Sequence, residues 1–139
     1  MVGEAARDFA ARRLAPGAAE RDRTGAYPIE AFGEAAALGL HAMKVPTDDG
    51  GGGMDNVGFA LALEGVAESC ASVAVILASS NLTSKILSDH GTAEQKRRWL
   101  RPYCEGVLGP AFIALATVPP EKPPLMCFTR ILMRENGRP

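Results

Sequence analysis

The chain has 139 residues, a length that suits one domain and is too short for two complete ones. Hydrophobic residues make up 47% of it and charged residues 22%, a composition typical of globular proteins rather than disordered ones. Fifteen Lys and Arg against sixteen Asp and Glu give a net charge of −1. This balance argues against a nucleic-acid partner bound by phosphate neutralisation.

The cysteines, the longest uncharged stretch and the N-terminal residues indicate where in the cell the protein is expected. Cys70, Cys104 and Cys127 stand far apart and the chain has only two histidines, so we expect free thiols and no metal site. The longest uncharged stretch, 69–84, is shorter than the roughly 20 residues of a membrane span. Residues 1–13 mix both charges and match neither a secretory signal nor a transit peptide. A cytoplasmic location without membrane attachment is therefore expected.

Two helices are predicted before residue 40. Helical spacing of apolar residues predicts the first from Gly3 to about Ala15, with Pro16 either breaking it or starting another turn. Its buried stripe is expected to consist of Ala6, Phe9, Ala10 and Leu14. Pro28 suits the first position of the second helix, which stops at Gly39. The apolar stripe of this second helix is Ile29, Phe32 and Ala36.

A glycine-rich loop and a third helix are predicted next. Glycines 50–53 lose too much backbone freedom in regular structure, so the segment from Met43 to Met54 is interpreted as a loop. A phosphate-binding loop is disfavoured, because no Gly-Lys-Ser/Thr sequence follows and two aspartates precede the glycines. Asp55 suits the N-cap of the third helix. The buried face of that helix is expected to be Phe59, Leu63, Val66, Ala67 and Cys70.

The last two predicted helices differ in charge. One runs from Ser72 to about Asp89, is apolar nearly all round, and is expected to lie buried at the centre. The other begins with a capping box between Thr92 and Gln95, and Pro102 is expected to end or kink it. Its apolar side is Trp99, Leu100 and Tyr103, which face the core. Its basic side is Lys96, Arg97, Arg98 and Arg101, which is interpreted as a solvated face rather than a membrane-binding one.

Several short segments, taken in chain order, resemble the acyl-CoA dehydrogenases over roughly residues 3–109. They are Leu14-Ala15-Pro16, Leu38-Gly39-Leu40 with Val45-Pro46, the glycine run, Leu63-Glu64, Cys70-Ala71-Ser72, and Asp89-His90-Gly91-Thr92 leading to Glu94-Gln95-Lys96. The resemblance implies an all-α fold, an up-and-down helical bundle of the N-terminal domain type, over residues 1–109. An irregular tail is expected over 110–139, as a truncated or frame-shifted start of the middle domain.

The resemblance also implies a reaction. Complete enzymes of the family remove a proton from Cα of an acyl-CoA thioester through a glutamate and transfer a hydride from Cβ to FAD, giving a 2-enoyl-CoA. The glutamate belongs to the C-terminal domain, so no catalytic residue is assigned in this chain. The family's Thr-Glu-Pro and Gly-Ser-Asp segments, which contact the flavin, are absent after Gly109, so the FAD-binding residues are unknown. The complete enzyme is expected to be a homo-oligomer, and this chain, without the middle and C-terminal domains, to be inactive.

The helix predicted from Ser72 to Asp89 corresponds to the wall of the family's acyl-chain site. By resemblance, its lining positions are Ala74, Val75, Ala78, Ser79 and Leu82. Their spacing places them on one helical face, and the small side chains among them leave room for a ligand. Small residues on a helix face also permit close packing of helices, which is the alternative interpretation. At the level of the whole chain, the alternative is a non-enzymatic helical module whose apolar faces bind another chain.

Overall fold

The computed structural model describes residues 2–107, which form an all-α up-and-down bundle with no strand among them. Its α-helices are α1 (Val2–Phe9), α2 (Ala18–Thr24), α3 (Ile29–Ala37), α4 (Asn56–Ala67), α5 (Ala71–His90), α6 (Ala93–Gln95) and α7 (Arg101–Cys104). Short 3-10 turns lie at Ala15–Gly17 and Thr47–Asp49. The tail predicted over 110–139 and Cys127 lie outside the described residues. The helical fold predicted for the domain is confirmed.

Two wide helical turns accommodate prolines. The π turn Ala10–Leu14 ends two residues before Pro16, and the π turn Lys96–Leu100 ends two residues before Pro102. A proline has no N–H to donate, and its ring clashes with the carbonyl four residues earlier in a regular α-helix. A π turn carries one more residue per turn and changes that spacing. Pro16 therefore starts another turn, which is one of the two predicted outcomes, and Pro102 does not end its helix, which continues to Cys104.

The larger core lies between α1, α3, α4 and α5 and is called the first core here. Its buried members are Ala6, Phe9, Ala10, Leu14, Phe32, Ala35, Leu40, Met43, Ala62, Val66, Cys70, Val73, Ala74 and Leu77. The predicted stripe of the first helix is confirmed within it. α1 packs along α4 so closely that a Cβ at Gly65 would lie 2.8 Å from the carbonyl oxygen of Gly3.

A smaller cluster, called the second core, lies between the loop after α3, the end of α5 and the last helical segment. Its buried members are Ala42, Val45, Leu87, Leu100 and Tyr103, with Trp99 and Cys104 packed against them. The predicted core side of the last helix is therefore confirmed. Arg97, Arg98 and Arg101 on its other side are exposed, as expected for a solvated face.

Local capping signals were predicted more accurately than individual core residues. The Asp55 carboxylate accepts a 2.7 Å hydrogen bond from the Gly58 N–H, and the Thr92–Gln95 capping box is present. Two expected core residues are wrong: Ile29 is 60% exposed, and Ala67 is also exposed. α3 begins one residue later than predicted, and its buried residues are Phe32 and Ala35.

The glycine-rich segment is a loop, as predicted, and backbone hydrogen bonds order it. The N–H groups of Gly52, Gly53 and Met54 donate to the carbonyls of Ala42, Val45 and Met43 at 3.0, 2.8 and 2.8 Å. A Cβ at Gly51 would lie 2.3 Å from Val45. The close approach of these two backbone segments therefore requires glycine there.

Candidate functional site

Helix α5 has two unlike faces. One faces the two cores, where Val73 and Leu77 are buried beside the polar Ser80, Asn81 and Ser84. On the other face Val75 is 64% exposed and Leu82 is 49% exposed. The expectation that α5 lies buried at the centre is therefore confirmed for one face only. Its polar side chains point inward while two of its large apolar side chains point outward.

Asn81 explains how polar residues occupy the inner face. Its side-chain Nδ2 donates to the carbonyls of Leu40 and Leu77, both at 2.9 Å, and its Oδ1 accepts from the Lys44 N–H at 3.1 Å. The side chain is fully buried. Because these three bonds satisfy the amide, burial does not leave it unpaired. They also attach the loop after α3 to the middle of α5.

His41 and Tyr103 form a second attachment. The His41 Nε2 donates to the Tyr103 carbonyl oxygen at 2.8 Å, and the Tyr103 hydroxyl donates to the His41 carbonyl oxygen at 2.9 Å. His41 is buried, and its Nδ1 has no hydrogen-bond partner. Burial lowers the pKa of His41, against a smaller opposite effect of the hydrogen bond to Tyr103. We infer a neutral imidazole with its proton on Nε2.

Sequence reasoning assigned no role to Asn81 or His41. Both lie where helical periodicity gives no signal, since His41 is in a loop and Asn81 is a polar residue in an apolar helix. One signal was present for Asn81: an amide in the middle of a buried helix requires partners. The identity of those partners, 40 or so residues earlier, could not be inferred from the local pattern.

The predicted acyl-chain residues fall into two groups. Val75, Ala78, Ser79 and Leu82 lie on the outward face of α5, where the first and last are exposed and the middle two are half-buried. Ala74 is buried in the first core. The structure therefore brings four of the five predicted residues together and places the fifth among the packed helices.

Three findings concern other kinds of site. By length and composition α5 could cross a membrane, but half of its apolar window is buried in the domain, as in core helices of soluble proteins. Among residues 2–107, no group of three His, Cys, Asp or Glu could hold a metal ion. Cys70 and Cys104 are free, and burial raises the pKa of the Cys104 thiol to about 11.

The outward face of α5 forms an open wall. Small-molecule and cofactor sites are concave and enclose most of the ligand surface. The exposure of Val75 and Leu82 shows that the described residues do not close over this face. By themselves they do not enclose a ligand of the size of FAD, so no step of a flavin reaction is assigned to them.

The chain is similar to known acyl-CoA dehydrogenases. The family model "Acyl-CoA dehydrogenase, N-terminal domain" matches residues 1–107. The mouse short-chain specific acyl-CoA dehydrogenase, mitochondrial, is 36% identical over 107 residues, covering 76% of this chain and 26% of that enzyme. The probable acyl-CoA dehydrogenase YngJ of Bacillus subtilis is 37% identical over 107 residues, covering 76% of this chain and 28% of that protein.

A solved structure agrees with the sequence match. Butyryl-CoA dehydrogenase from Megasphaera elsdenii matches with a TM-score of 0.69 and 32% identity, covering 78% of this chain and 29% of that one. This chain spans little more than a quarter of the length of these relatives. By its match over residues 1–107 and its all-α fold, the chain belongs to the acyl-CoA dehydrogenase family through that family's N-terminal domain.

Proposed function

We propose that this domain is part of a flavin-dependent acyl-CoA dehydrogenase and that the outward face of α5 forms one wall of its acyl-chain site. The observation that carries the proposal is the inversion of α5. Asn81 and Ser84 are buried, whereas Val75 and Leu82 on the same helix are exposed. An exposed apolar stripe on a helix that is otherwise packed supports contact with a ligand or with domains beyond this one.

The proposed reaction is α,β-dehydrogenation of an acyl-CoA to a 2-enoyl-CoA in an oligomeric enzyme. FAD, when bound, accepts the hydride from Cβ. Val75 and Leu82 would bury the acyl tail and exclude water from it, while Ala78 and Ser79 leave space along the helix. Holding the tail in one position orients the Cα–Cβ bond for reaction. The outward stripe itself offers no carboxylate base, which is why the chain alone is proposed to be inactive.

Short acyl chains are the substrate class we favour. The relatives that support this choice are the mouse enzyme specific for short chains and the butyryl-CoA dehydrogenase of Megasphaera elsdenii. The half-buried Ala78 and Ser79 lie between Val75 and Leu82 on the outward face, so a side chain added at Ala78 would enter the space proposed for the tail.

A chimeric enzyme tests this proposal. Residues 1–107 would replace the corresponding domain of the Megasphaera butyryl-CoA dehydrogenase, and enoyl-CoA formation would be measured with an artificial electron acceptor over acyl chains of increasing length. Ala78→Phe should shift the ratio of kcat/KM values toward shorter chains by about tenfold or more. Ala60→Phe, at an exposed alanine of α4, is the control and should leave that ratio unchanged.

Two outcomes would contradict the proposal. An active, flavin-loaded Ala78→Phe chimera with an unchanged chain-length profile would exclude α5 as the acyl wall. Turnover by the 139-residue chain alone would contradict its proposed inactivity. In the chain alone the substitution is a poor test, since overpacking at this half-buried position costs roughly 1 to 3 kcal/mol.

A non-enzymatic interaction module is the second candidate. The observation that favours it is a further exposed apolar pair on α4, Val57 at 66% and Leu61 at 45% exposure. Flavin absorbance and the mass in solution distinguish the two candidates. A colourless oligomer of the purified chain would support the module, and a yellow protein would support the dehydrogenase.

A further inference from the structure

A cleft of about 450 Å³ opens between the glycine loop and the start of the last helical segment. It is lined by Asp49, Ala93, Glu94, Lys96, Arg97 and Arg101. The neighbouring Ser88 lies about 140° around α5 from Val75, at 100° per residue. The cleft is therefore on a different side of the domain from the proposed acyl wall.

Two of the charges in this cleft bind each other. The Asp49 Oδ2 accepts a 2.8 Å hydrogen bond from the Ser88 hydroxyl and lies 3.4 Å from the Lys96 Nζ. These groups lower the pKa of Asp49, with Ser88 as the largest cause. Asp49 and Lys96 therefore form an internal pair that joins the loop to the last helical segment, and neither carries a free charge for a ligand.

The remaining basic charges have no such partner. Arg97 and Arg101 are four residues apart, so they lie on the same side of the helical segment, and both are exposed. Neither guanidinium forms a hydrogen bond or ion pair with another residue of the described range 2–107, although the charge of Arg101 contributes to the lowered pKa of Asp49. Glu94 likewise forms no ion pair there. The cleft is thus lined by three basic side chains and two carboxylates, with Arg97 and Arg101 outside the Asp49–Lys96 pair.

We propose that this cleft docks an acidic segment of a partner protein, with carboxylates bound by Arg97 and Arg101. The planar guanidinium binds a carboxylate through two parallel hydrogen bonds, and this pairing is among the strongest charged contacts in proteins. A protein segment fits the cleft better than free phosphate, because the unpaired carboxylate of Glu94 would repel a dianion. A protein segment can instead place a hydrogen-bond donor against Glu94. This function is additional to the proposed dehydrogenase role of α5.

The test uses the full chain and a fluorescent peptide of four consecutive glutamates flanked by glycines. Binding is measured by anisotropy at about 50 mM salt, where exposed charges are weakly screened. Arg97→Gln and Arg101→Gln should each weaken binding about three- to tenfold. Arg98→Gln is the matched control, since Arg98 has the same charge on the same segment but lies over the Trp99 ring at 5.3 Å and does not line the cleft. It should change affinity less than about twofold.

A variant with the opposite expected effect separates binding from folding. Glu94→Gln removes the unpaired negative charge from the cleft and should tighten binding of the peptide, which a destabilised protein would not do. Equal weakening by Arg98→Gln would show a response to net charge alone and overturn the proposal. Absence of peptide binding would overturn it too. Inorganic phosphate that binds more tightly than the peptide, with the same dependence on Arg97, would assign the cleft to phosphate instead.

Discussion

The first and second cores stabilise one bundle by different means. In the first core, α1 and α4 approach closely enough that Gly65 has no room for a side chain. Apolar contact dominates between these two helices, because each satisfies its own backbone groups internally. In the second core the partner of α5 is a loop, whose backbone groups need outside partners. Asn81 and the Tyr103 hydroxyl supply those partners. Helices can therefore pack through shape alone, whereas a buried loop also requires polar side chains.

Loss of Asn81 should have the largest effect, because it breaks the polar attachment of the loop. Asn81→Ala leaves the Leu40 carbonyl and the Lys44 N–H without their partner, and we expect the free energy of unfolding in urea to fall by about 3 kcal/mol. The control is Asn56→Ala, which removes an exposed amide that also binds Lys44 and should cost less than about 0.5 kcal/mol. A loss at Asn81 below about 1 kcal/mol would show that water replaces these bonds.

The second-largest loss of stability is expected from overpacking of the first core at Gly65. A Cβ in Gly65→Ala would lie 2.8 Å from the Gly3 carbonyl oxygen and 3.0 Å from the Arg7 backbone nitrogen, so α1 must move away from α4. Urea unfolding should show a loss of about 2 kcal/mol. Gly33→Ala is the matched control in α3, where no heavy atom lies within 4 Å, and it should stabilise by up to about 1 kcal/mol. Equal behaviour of the two variants would contradict the close helix contact.

Acid should weaken the second core specifically. Burial lowers the pKa of His41 below its ordinary value of 6.5, so the unfolded chain takes up a proton at a higher pH than the folded chain. Stability is therefore fully present above pH 6.5 and is lost as the pH falls toward the folded-state pKa. Between pH 7.5 and 5.5 the free energy of unfolding should fall by about 1 kcal/mol.

Two histidine variants check the assignment of this pH dependence. His41→Gln should abolish the slope over this range whatever its own stability, because the titrating group is gone. His90→Gln, at the exposed end of α5, should keep the slope. A slope that survives in His41→Gln would assign it to another group and contradict the role of the His41–Tyr103 pair.

The smallest effect is expected at the surface ion pair of α1. Arg7 donates to Glu68 through Nε and Nη2 at 2.7 and 2.8 Å, and both side chains are about half exposed. Water and salt screen such a pair. Arg7→Gln should lower the thermal unfolding midpoint less than Asn81→Ala or Gly65→Ala does, and the difference should vanish at 1 M salt. A persistent difference would indicate that the Arg7 side chain contributes packing between α1 and α4.

Local chemistry was predictable from the sequence, but the orientation of α5 was not. Caps at Asp55 and Thr92 depend on residues three positions apart, and the structure confirms both. Val75 and Leu77 look alike in a periodicity pattern, yet one is exposed and the other buried. The difference arises because Asn81 turns its face toward the loop, whose partners Leu40 and Lys44 are distant in sequence.

The residues of the candidate acyl wall were also predictable only in part, because helical spacing gives their relative angles but not which face is buried. Its residues share a face because helical spacing fixes their angles, and four of them lie on the outward side. Ala74 lies at the edge of that face, about 40° around the helix from Ala78 and about 100° from Val75, and packs in the first core instead. Small side chains suit either surface, so sequence spacing alone did not separate Ala74 from Ala78.

The two π turns are places where the chain could lose one residue without a change in the direction of the helix side chains that follow. Each turn, Ala10–Leu14 and Lys96–Leu100, carries one residue beyond a regular α-helical turn. Deleting a residue from the first turn together with Pro16→Ala would leave a regular helix whose downstream side chains keep their phase. We therefore expect a single-residue deletion to destabilise the domain less at either π turn than within the regular helix α5.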